Sequence, residues 1–411
     1  MSQQNVQKPS SNNDAILVIN CGSSSVKFSL IKPATGETIL SGLAQCLLDT
    51  AANITIKFQQ TKNTYQLAEP FDHQSALAIL VTQLQQLDLV RDICAVGHRV
   101  VHGGEKYSKP TLITDDVEQA IEQLAKLAPL HNPANLIGIK ACQQAFDNLP
   151  QIAVFDTAFH QTMPEKAYIY GLPYSLYKDH GVRRYGFHGT SHYFVAQQAA
   201  QQLAKPLEAC NLISAHLGNG CSVTVIKDGK SVDTSLGMTP VEGVIMGTRS
   251  GDLDAGIIFH LVEQLGYSVA EVDKLVNKKS GLLGISELSN DCRTLETAML
   301  EENNTQAKLA LNVFCYRIAK SIASYSASLT SLDGIIFTGG IGENSSWVRE
   351  QIIKQLSLLN FAIDDKKNQA TRFGASGNIA ADNSRNCWVI ATNEEWVIAE
   401  QSAQLLTSLN K

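Results

Sequence analysis

The chain has 411 residues, of which 44% are hydrophobic and 18% charged, with 33 Lys and Arg against 39 Asp and Glu. That apolar share excludes a disordered chain, and at roughly 100–200 residues per domain the length calls for two domains. A net charge of -6 without runs of like charge argues against nucleic acid as a partner, and no apolar stretch of about 18 residues is available to cross a membrane.

Residues 1–13 read as a polar tail lacking the apolar centre of a secretory signal. The nine Cys are scattered and form no C-x-x-C pair, which reads as reduced thiols in a cytoplasmic protein. The first strand is expected over Ile16–Asn20, followed by the turn CGSSS and a return strand over Val26–Ile31. Thr114 can cap a helix carrying Val117, Ile121, Leu124 and Leu127 on one face, stopped by Pro129. Asn132 as a cap with Pro133 at the first helical position opens the next helix, through Ile137, Cys142 and Phe146. A short buried strand, Ile152–Phe155, precedes the likeliest domain boundary, near 156–160.

The second half repeats the opening design. Asn211–His216 is a strand, LGNGCS a turn and Val223–Ile226 the return strand; this turn and the first both run into Ser-Val, at Ser25-Val26 and Ser222-Val223. Helices are expected near 254–265, 269–277 and 303–329, with strands at Gly334–Thr338 and Trp388–Ala391. A closing helix follows, with Val397, Ile398, Leu405 and Leu409 on its apolar side and a capping box from Thr392 to Glu395. Strands alternating with helices make an α/β architecture. The expected organisation is an N-terminal lobe over 14–157, a C-terminal lobe over 158–392, and a helix over 393–411 packing back on the first lobe.

Three Gly-rich turns follow strands, at Cys21–Ser25, Leu217–Ser222 and Gly339–Asn344. Glycine has no Cβ to hold a phosphate away from backbone N–H groups. The patterns G-x-x-x-x-G-K-[ST] and G-x-G-x-x-G are both absent, so a nucleotide would need another kind of fold. A duplicated strand–turn–strand suggests the two-lobed actin-like ATPases, with the nucleotide between lobes. Lys27, just past the first turn, could reach a phosphoryl oxygen. GHRVVHGGEKY, RRYGFHGTSH and MGTRSGDLD set Arg99 and Arg249 in Gly-rich loops, where a planar guanidinium fork suits a carboxylate or phosphate. His98, His102, His160 and His192 read as structural, and the HGTSH spacing falls in a loop rather than on a metal-binding helix. Asp156 follows a strand, where open α/β sheets place their sites. Of Glu394 and Glu395, one caps the last helix and the other could face a cation held by phosphates.

INCGSSSVKF, GHRVVHGG, PLHNP, FDTAFH, RRYGFHGTSH, HLGNGCS, MGTRSGDLD, FTGGIGENS and TNEE, in this order, resemble the acetate kinase family from about Ile16 to the C-terminal helix. The resemblance implies a duplicated actin-like (ribonuclease H-like) fold, ATP-dependent phosphorylation of acetate to acetyl phosphate and ADP, magnesium with manganese as a substitute, and a homodimer. It implies Asn20 and Glu394 at the magnesium site, Lys27 on the ATP phosphates, and Arg99, Arg249 and His188 at the substrate and transition state. Asp156 matches the family's essential Asp, and His131 is a further active-site residue. His216, Leu217, Gly218, Asn219, Gly220, Asp291, Cys292, Arg293, Gly340, Ile341, Gly342, Glu343 and Asn344 match nucleotide-binding segments. Val101, Leu130, Phe187 and Pro240 match the pocket for the substrate methyl group. The chain departs from the family at Ala255, where Pro is usual, and at Trp396, which is bulkier than the usual residue.

The chemistry is consistent without the name. Carboxylate attack on a γ-phosphoryl group joins two anions, so positive charge and hydrogen-bond donors are required, whereas a carboxylate ionised at pH 7 needs no general base. Asp156 is then expected to orient an arginine or a metal-bound water. Two rival readings stand. A propionate kinase would share every catalytic motif and differ in pocket size at Val101. An actin- or chaperone-like ATPase would have no use for the arginine-rich segments.

Overall fold

The structure is a computed structural model that describes residues 14–129 and 131–409; the expected polar tail and Leu130 lie outside the described residues. The described residues up to Ala158, together with those from Glu394, form one compact unit, and Phe159–Asn393 form a second.

The first unit is built on an eight-stranded sheet. Its strands are β1 (Ala15–Cys21), β2 (Val26–Lys32), β3 (Glu37–Gln45), β4 (Asn53–Phe58), β5 (Thr61–Gln66), β6 (Ile93–Val100), β7 (Thr111–Leu112) and β8 (Gln151–Phe155), in the order β5-β4-β3-β2-β1-β6-β8-β7. β1 pairs antiparallel with β2 and parallel with β6, which pairs parallel with β8. The unbroken apolar run of β1 reflects burial on both faces. Leu17 and Ile19 join Leu77, Leu80 and Leu84 of the His73–Gln86 helix on one side. Ile16 and Val18 meet Ile398 and Ala399 of the Glu394–Leu409 helix on the other. A Cβ at Gly97 would lie 2.8 Å from Ser402 Oγ and 2.9 Å from Ile398 Cγ2, so the bare glycine lets that helix sit close against β6. Trp396 docks in the same unit, its indole N–H donating to Pro33 O at 2.9 Å.

The second unit has a six-stranded sheet. Its strands are β9 (Leu212–Leu217), β10 (Cys221–Lys227), β11 (Lys230–Thr234), β12 (Gly334–Thr338), β13 (Gly377–Asn378) and β14 (Asn386–Val389), in the order β11-β10-β9-β12-β14-β13. β9 pairs antiparallel with β10 and parallel with β12, which pairs parallel with β14. The series β3-β2-β1-β6-β8 and β11-β10-β9-β12-β14 therefore have the same order and the same directions. The long Thr305–Tyr325 helix buries Ala307, Ala310, Leu311, Phe314, Cys315, Ile318, Ala319 and Ile322, one stripe at helical spacing.

Several local expectations are corrected. Arg99 lies on β6, and the Gly189–Gln202 and Gly339–Asn344 segments are helices, so three stretches read as loops or turns are regular elements. Their glycines mark close packing and helix starts rather than irregular backbone. Asn132 is the first residue of its helix rather than its cap; His131 takes the cap position. The Asn132 side chain instead bonds the backbone of His102 and Ile121, because a buried amide is worth more satisfying three groups than one. Ile137, placed on the apolar face, is 50% exposed, and Leu136 and Ile139 turn inward in its place. The capping box from Thr392 does not form. The helix begins at Glu394, Thr392 Oγ1 has no hydrogen-bond partner among the described residues, and the Glu395 carboxylate pairs with Lys27.

Candidate active site

In the first unit, parallel strands carry charged groups to the same end of the sheet. β6 delivers Arg99 and the end of β8 delivers Asp156; Arg99 Nη2 donates to Asp156 Oδ2 at 2.9 Å. Arg99 Nε lies 3.9 Å from Glu394 Oε2 and makes no hydrogen bond among the described residues. Burial opposes the Arg99 charge, but Asp156, Glu394 and Glu395 outweigh it and hold the guanidinium's pKa above its ordinary value. The Glu394 carboxyl is pushed up to about 7 although 24% of its side chain stays exposed. Burial is the main cause, with Asp156 and Glu395 adding to it against Arg99 and Lys27. Asn20, on β1, stands opposite Lys27 of β2 in the strand register.

The loop after β6 is fixed by two side chains, Asn135, which sequence reading passed over, and Asn132, which it took for a helix cap. Asn135 Oδ1 accepts from the Val101 N–H at 3.0 Å, while its Nδ2 donates to Cys21 O at 2.8 Å. Asn132 holds His102 in the same way, through the contacts given above. These bonds tie the turn after β1 to the segment after β6. Val101 is buried and lies just past the end of β6, so strand alternation from Arg99 does not by itself fix its direction. His131 is half-buried at the start of the Asn132–Ala145 helix.

In the second unit, the turn between β9 and β10 gathers the rest. A Cβ at Gly220 would lie 3.3 Å from Arg249 Nη1 and 3.4 Å from both Cε1 and Nε2 of His188. Arg249 and His188 thus border one space beside the bare Gly220. Arg249 makes no ion pair among the described residues; its guanidinium contacts Met246 Sδ at 3.8 Å, and burial lowers its pKa. The His188 and His216 rings stack with centroids 4.4 Å apart. Gly247 N–H donates to Asn219 O at 3.0 Å and Asn290 Nδ2 to Asn219 Oδ1 at 3.0 Å. The His216–Gly220 turn, the Arg249 loop and the Asp291 segment are therefore one cluster. Asp291 caps the Cys292–Leu300 helix and pairs with Arg293 at 3.0 Å, and Cys292 is buried. Phe187 is buried, and Pro240 is half-buried.

The helix holding Gly340, Ile341, Gly342, Glu343 and Asn344 starts directly from β12. Glu343 Oε1 turns back to accept from the N–H groups of Gly339 at 2.9 Å and Thr392 at 3.1 Å. The helix's far end is held by Arg349, which no motif marked. This fully buried side chain donates to the carbonyls of Gly342, Glu343, Asn368 and Thr371 and to Asn368 Oδ1. Burial pushes it down to about 10. Nothing short of the folded packing identifies Arg349, since an isolated Arg in a helix reads as a surface residue. The nine cysteines are unbridged, and burial pushes Cys21 and Cys221 up to about 12, far from a reactive thiolate.

Residues 15–400 match the model of the acetokinase family. The chain belongs to that family. An acetate kinase from Shewanella sp. (strain ANA-3) is 55% identical over 397 residues, 96% of this chain and 99% of that one. A solved acetate kinase from Porphyromonas gingivalis is 41% identical with a TM-score of 0.91, covering 96% of this chain and 100% of its own. A solved propionate kinase from Francisella tularensis subsp. tularensis SCHU S4 is 46% identical with a TM-score of 0.90, covering 94% of this chain and 98% of its own. The acetokinase chain thus has an actin-like ATPase fold of the α/β class, and each of its units carries the same central strand order.

Proposed function

We infer that the chain phosphorylates acetate with ATP, reversibly giving acetyl phosphate and ADP by direct in-line transfer. An acetate oxygen forms the new bond to the γ-phosphorus while the bond to the bridging oxygen breaks, its electron pair leaving on ADP. No proton moves, since the carboxylate is already ionised. The observation that carries the residue-level reading is Arg249, a half-buried cation with no carboxylate partner among the described residues, converging with His188 on the space above Gly220. A phosphoryl group with charge on its equatorial oxygens suits that pair of donors. Arg99 is assigned to an acetate oxygen, and Asp156 fixes the guanidinium's orientation. Lys27 exchanges Glu395 for an ATP phosphate, and the β9–β10, Asp291 and Gly340–Asn344 segments hold the nucleotide. Val101, Leu130, Phe187 and Pro240 complete the acetate-binding assignments, and His131 is assigned to the catalytic set.

Asn20 and Glu394 offer hard oxygen donors of the kind magnesium or manganese takes. The fit is supported by the grouping of Glu394 with Asp156 about Arg99, which places carboxylate oxygens together at this end of the sheet. When bound, the cation supplies charge neutralisation on the phosphate oxygens.

Propionate is the second reading, favoured by the Francisella likeness. Hydroxylamine trapping of acyl phosphate from ATP with acetate, propionate and butyrate tests both. Acetate should give the highest kcat/KM; a higher value for propionate reverses the order, and ATP hydrolysis without acyl hydroxamate would favour an ATPase. We also assign a cytoplasmic homodimer. Among the described residues no helix is long and apolar enough to cross a membrane. Ile257, Ile258, Phe259, Leu265, Tyr267 and Val269 are exposed on and just after the Gly256–Glu263 helix, an apolar run suited to a second copy. Sedimentation equilibrium should give twice the chain mass.

A further inference from the structure

The second unit contains a buried line of alternating hydroxyls and imidazoles that ends at His188. Ser214 Oγ lies 2.8 Å from His192 Nδ1, His192 Nε2 lies 2.7 Å from Ser222 Oγ, and Ser222 Oγ lies 2.9 Å from His188 Nδ1. Ser214, His192 and Ser222 are each 0% exposed. Each serine has one proton, and a buried hydroxyl proton without an acceptor is costly.

That constraint gives the line a direction. His192 Nδ1 is the single acceptor for the Ser214 hydroxyl among the described residues, so Ser214 donates to it. A neutral His192 then has its proton on Nε2 and donates to Ser222. Ser222, whose hydroxyl meets just these two rings among the described residues, must send its own proton to His188 Nδ1. A neutral His188 is left with its proton on Nε2, the nitrogen that borders the space above Gly220 beside Arg249. The reverse polarity would strand the Ser214 proton and aim a lone pair at an incoming phosphoryl oxygen. A second proton on His188 would strand the Ser222 proton. The stacked neighbour repeats the arrangement, with buried Ser191 bonded to His216 Nδ1 at 2.8 Å.

We propose that Ser214, His192 and Ser222 are positioning residues that hold His188 as a neutral imidazole donating from Nε2 to the transferred phosphoryl group. The proposal rests on the placement of His188 at the phosphoryl group, and it adds the protonation state and the residues that impose it. Arg249 would then supply the positive charge, while His188 supplies a directed hydrogen bond.

The test combines nitrogen-15 NMR of histidine-labelled full-length enzyme with steady-state kinetics, the His188 signals being assigned by their loss in His188→Ala. Wild type should show His188 neutral with its proton on Nε2. Ser214→Ala and Ser222→Ala should mix the tautomers and lower kcat about 10–100-fold, the scale for removing a partner that orients a functional histidine, with both KM values within about threefold. Ser214→Thr, which keeps the hydroxyl, should restore both readouts. A wild-type proton on Nδ1, or on both nitrogens, overturns the proposal without needing any variant to fold. So do serine variants that leave tautomer and kcat unchanged. Near wild-type kcat in His188→Ala would instead remove His188 from the reaction, a distinguishable failure of the underlying reading.

Discussion

The two sheets share a strand order and differ in what their strand ends carry. In the first unit, β6 carries Arg99 next to its last residue and β8 leads to Asp156, with Glu394, Glu395 and Lys27 close by, so formal charges face one another. In the second, the corresponding β12 is a wholly buried Gly334–Thr338 strand running into a helix start. There the chemistry falls to histidines, hydroxyls and Arg249, which has no ion pair among the described residues, around the β9–β10 turn. One topology therefore supports two electrostatic regimes. The backbone decides where strand ends lie, and the side chains decide whether that end is ionic or neutral.

Removing a cation from either regime should give the largest effects. Arg249→Ala and Arg99→Ala should each lower kcat by about 10²–10³ or more. The units should also separate: Arg99→Ala should raise the acetate KM as well, while Arg249→Ala should act mainly on kcat. Activity within threefold of wild type in a folded variant would break the assignment of that arginine. In the neutral regime, Gly220→Ala places a methyl group between Arg249 Nη1 and His188 Nε2. It should cost at least about tenfold in kcat, with the melting temperature unchanged or higher because Ala restricts the unfolded chain.

Val101→Ala probes the first unit's apolar component. If Val101 borders the alkyl end of the substrate, the shorter side chain should raise propionate relative to acetate by about 10–200-fold in kcat/KM. A lower melting temperature with an unchanged ratio would make Val101 plain core. The smallest expected effect concerns His98, a neutral histidine within the charged unit. Its Nε2 donates to Gln151 Oε1 at 2.7 Å, and burial lowers it to about 4, against the partly offsetting Gln151 bond. As pH falls from about 6.5 towards 4, the unfolded chain takes up a proton that the folded one refuses. Stability should thus drop by up to about 3 kcal/mol across that window. His98→Gln keeps a donor to Gln151, and its pH–stability curve should be flatter by that amount. Parallel curves would mean His98 is protonated in the fold.

Much of this contrast was visible in the sequence. Apolar runs bounded by CGSSS and LGNGCS mark the two hairpins, and the motif order marks the family. Local pattern failed where glycine was taken for irregular backbone: GHRV runs along a strand, and HGTSH leads into a helix. His188, at the cap position of that helix, and His192 within it stand four residues apart, which was the available signal that both could address Ser222. The Thr392 cap failed because the helix starts two residues later and Glu395 meets Lys27 instead.

By itself the sequence determined the α/β alternation, the two Gly-rich hairpins and the residue types an anion-handling site needs. These follow from side-chain size, spacing and backbone freedom, all of which act over a few residues. Tertiary structure alone decided which charges are answered. It set Asp156 on Arg99 across a separation of 57 residues, and gave Arg249 no carboxylate among the described residues. It also buried Arg349 among carbonyls and joined Ser214 to His188 through two intervening side chains. A pairing between distant strands leaves no local period, and a group's protonation depends on neighbours that only the folded chain brings within hydrogen-bond reach.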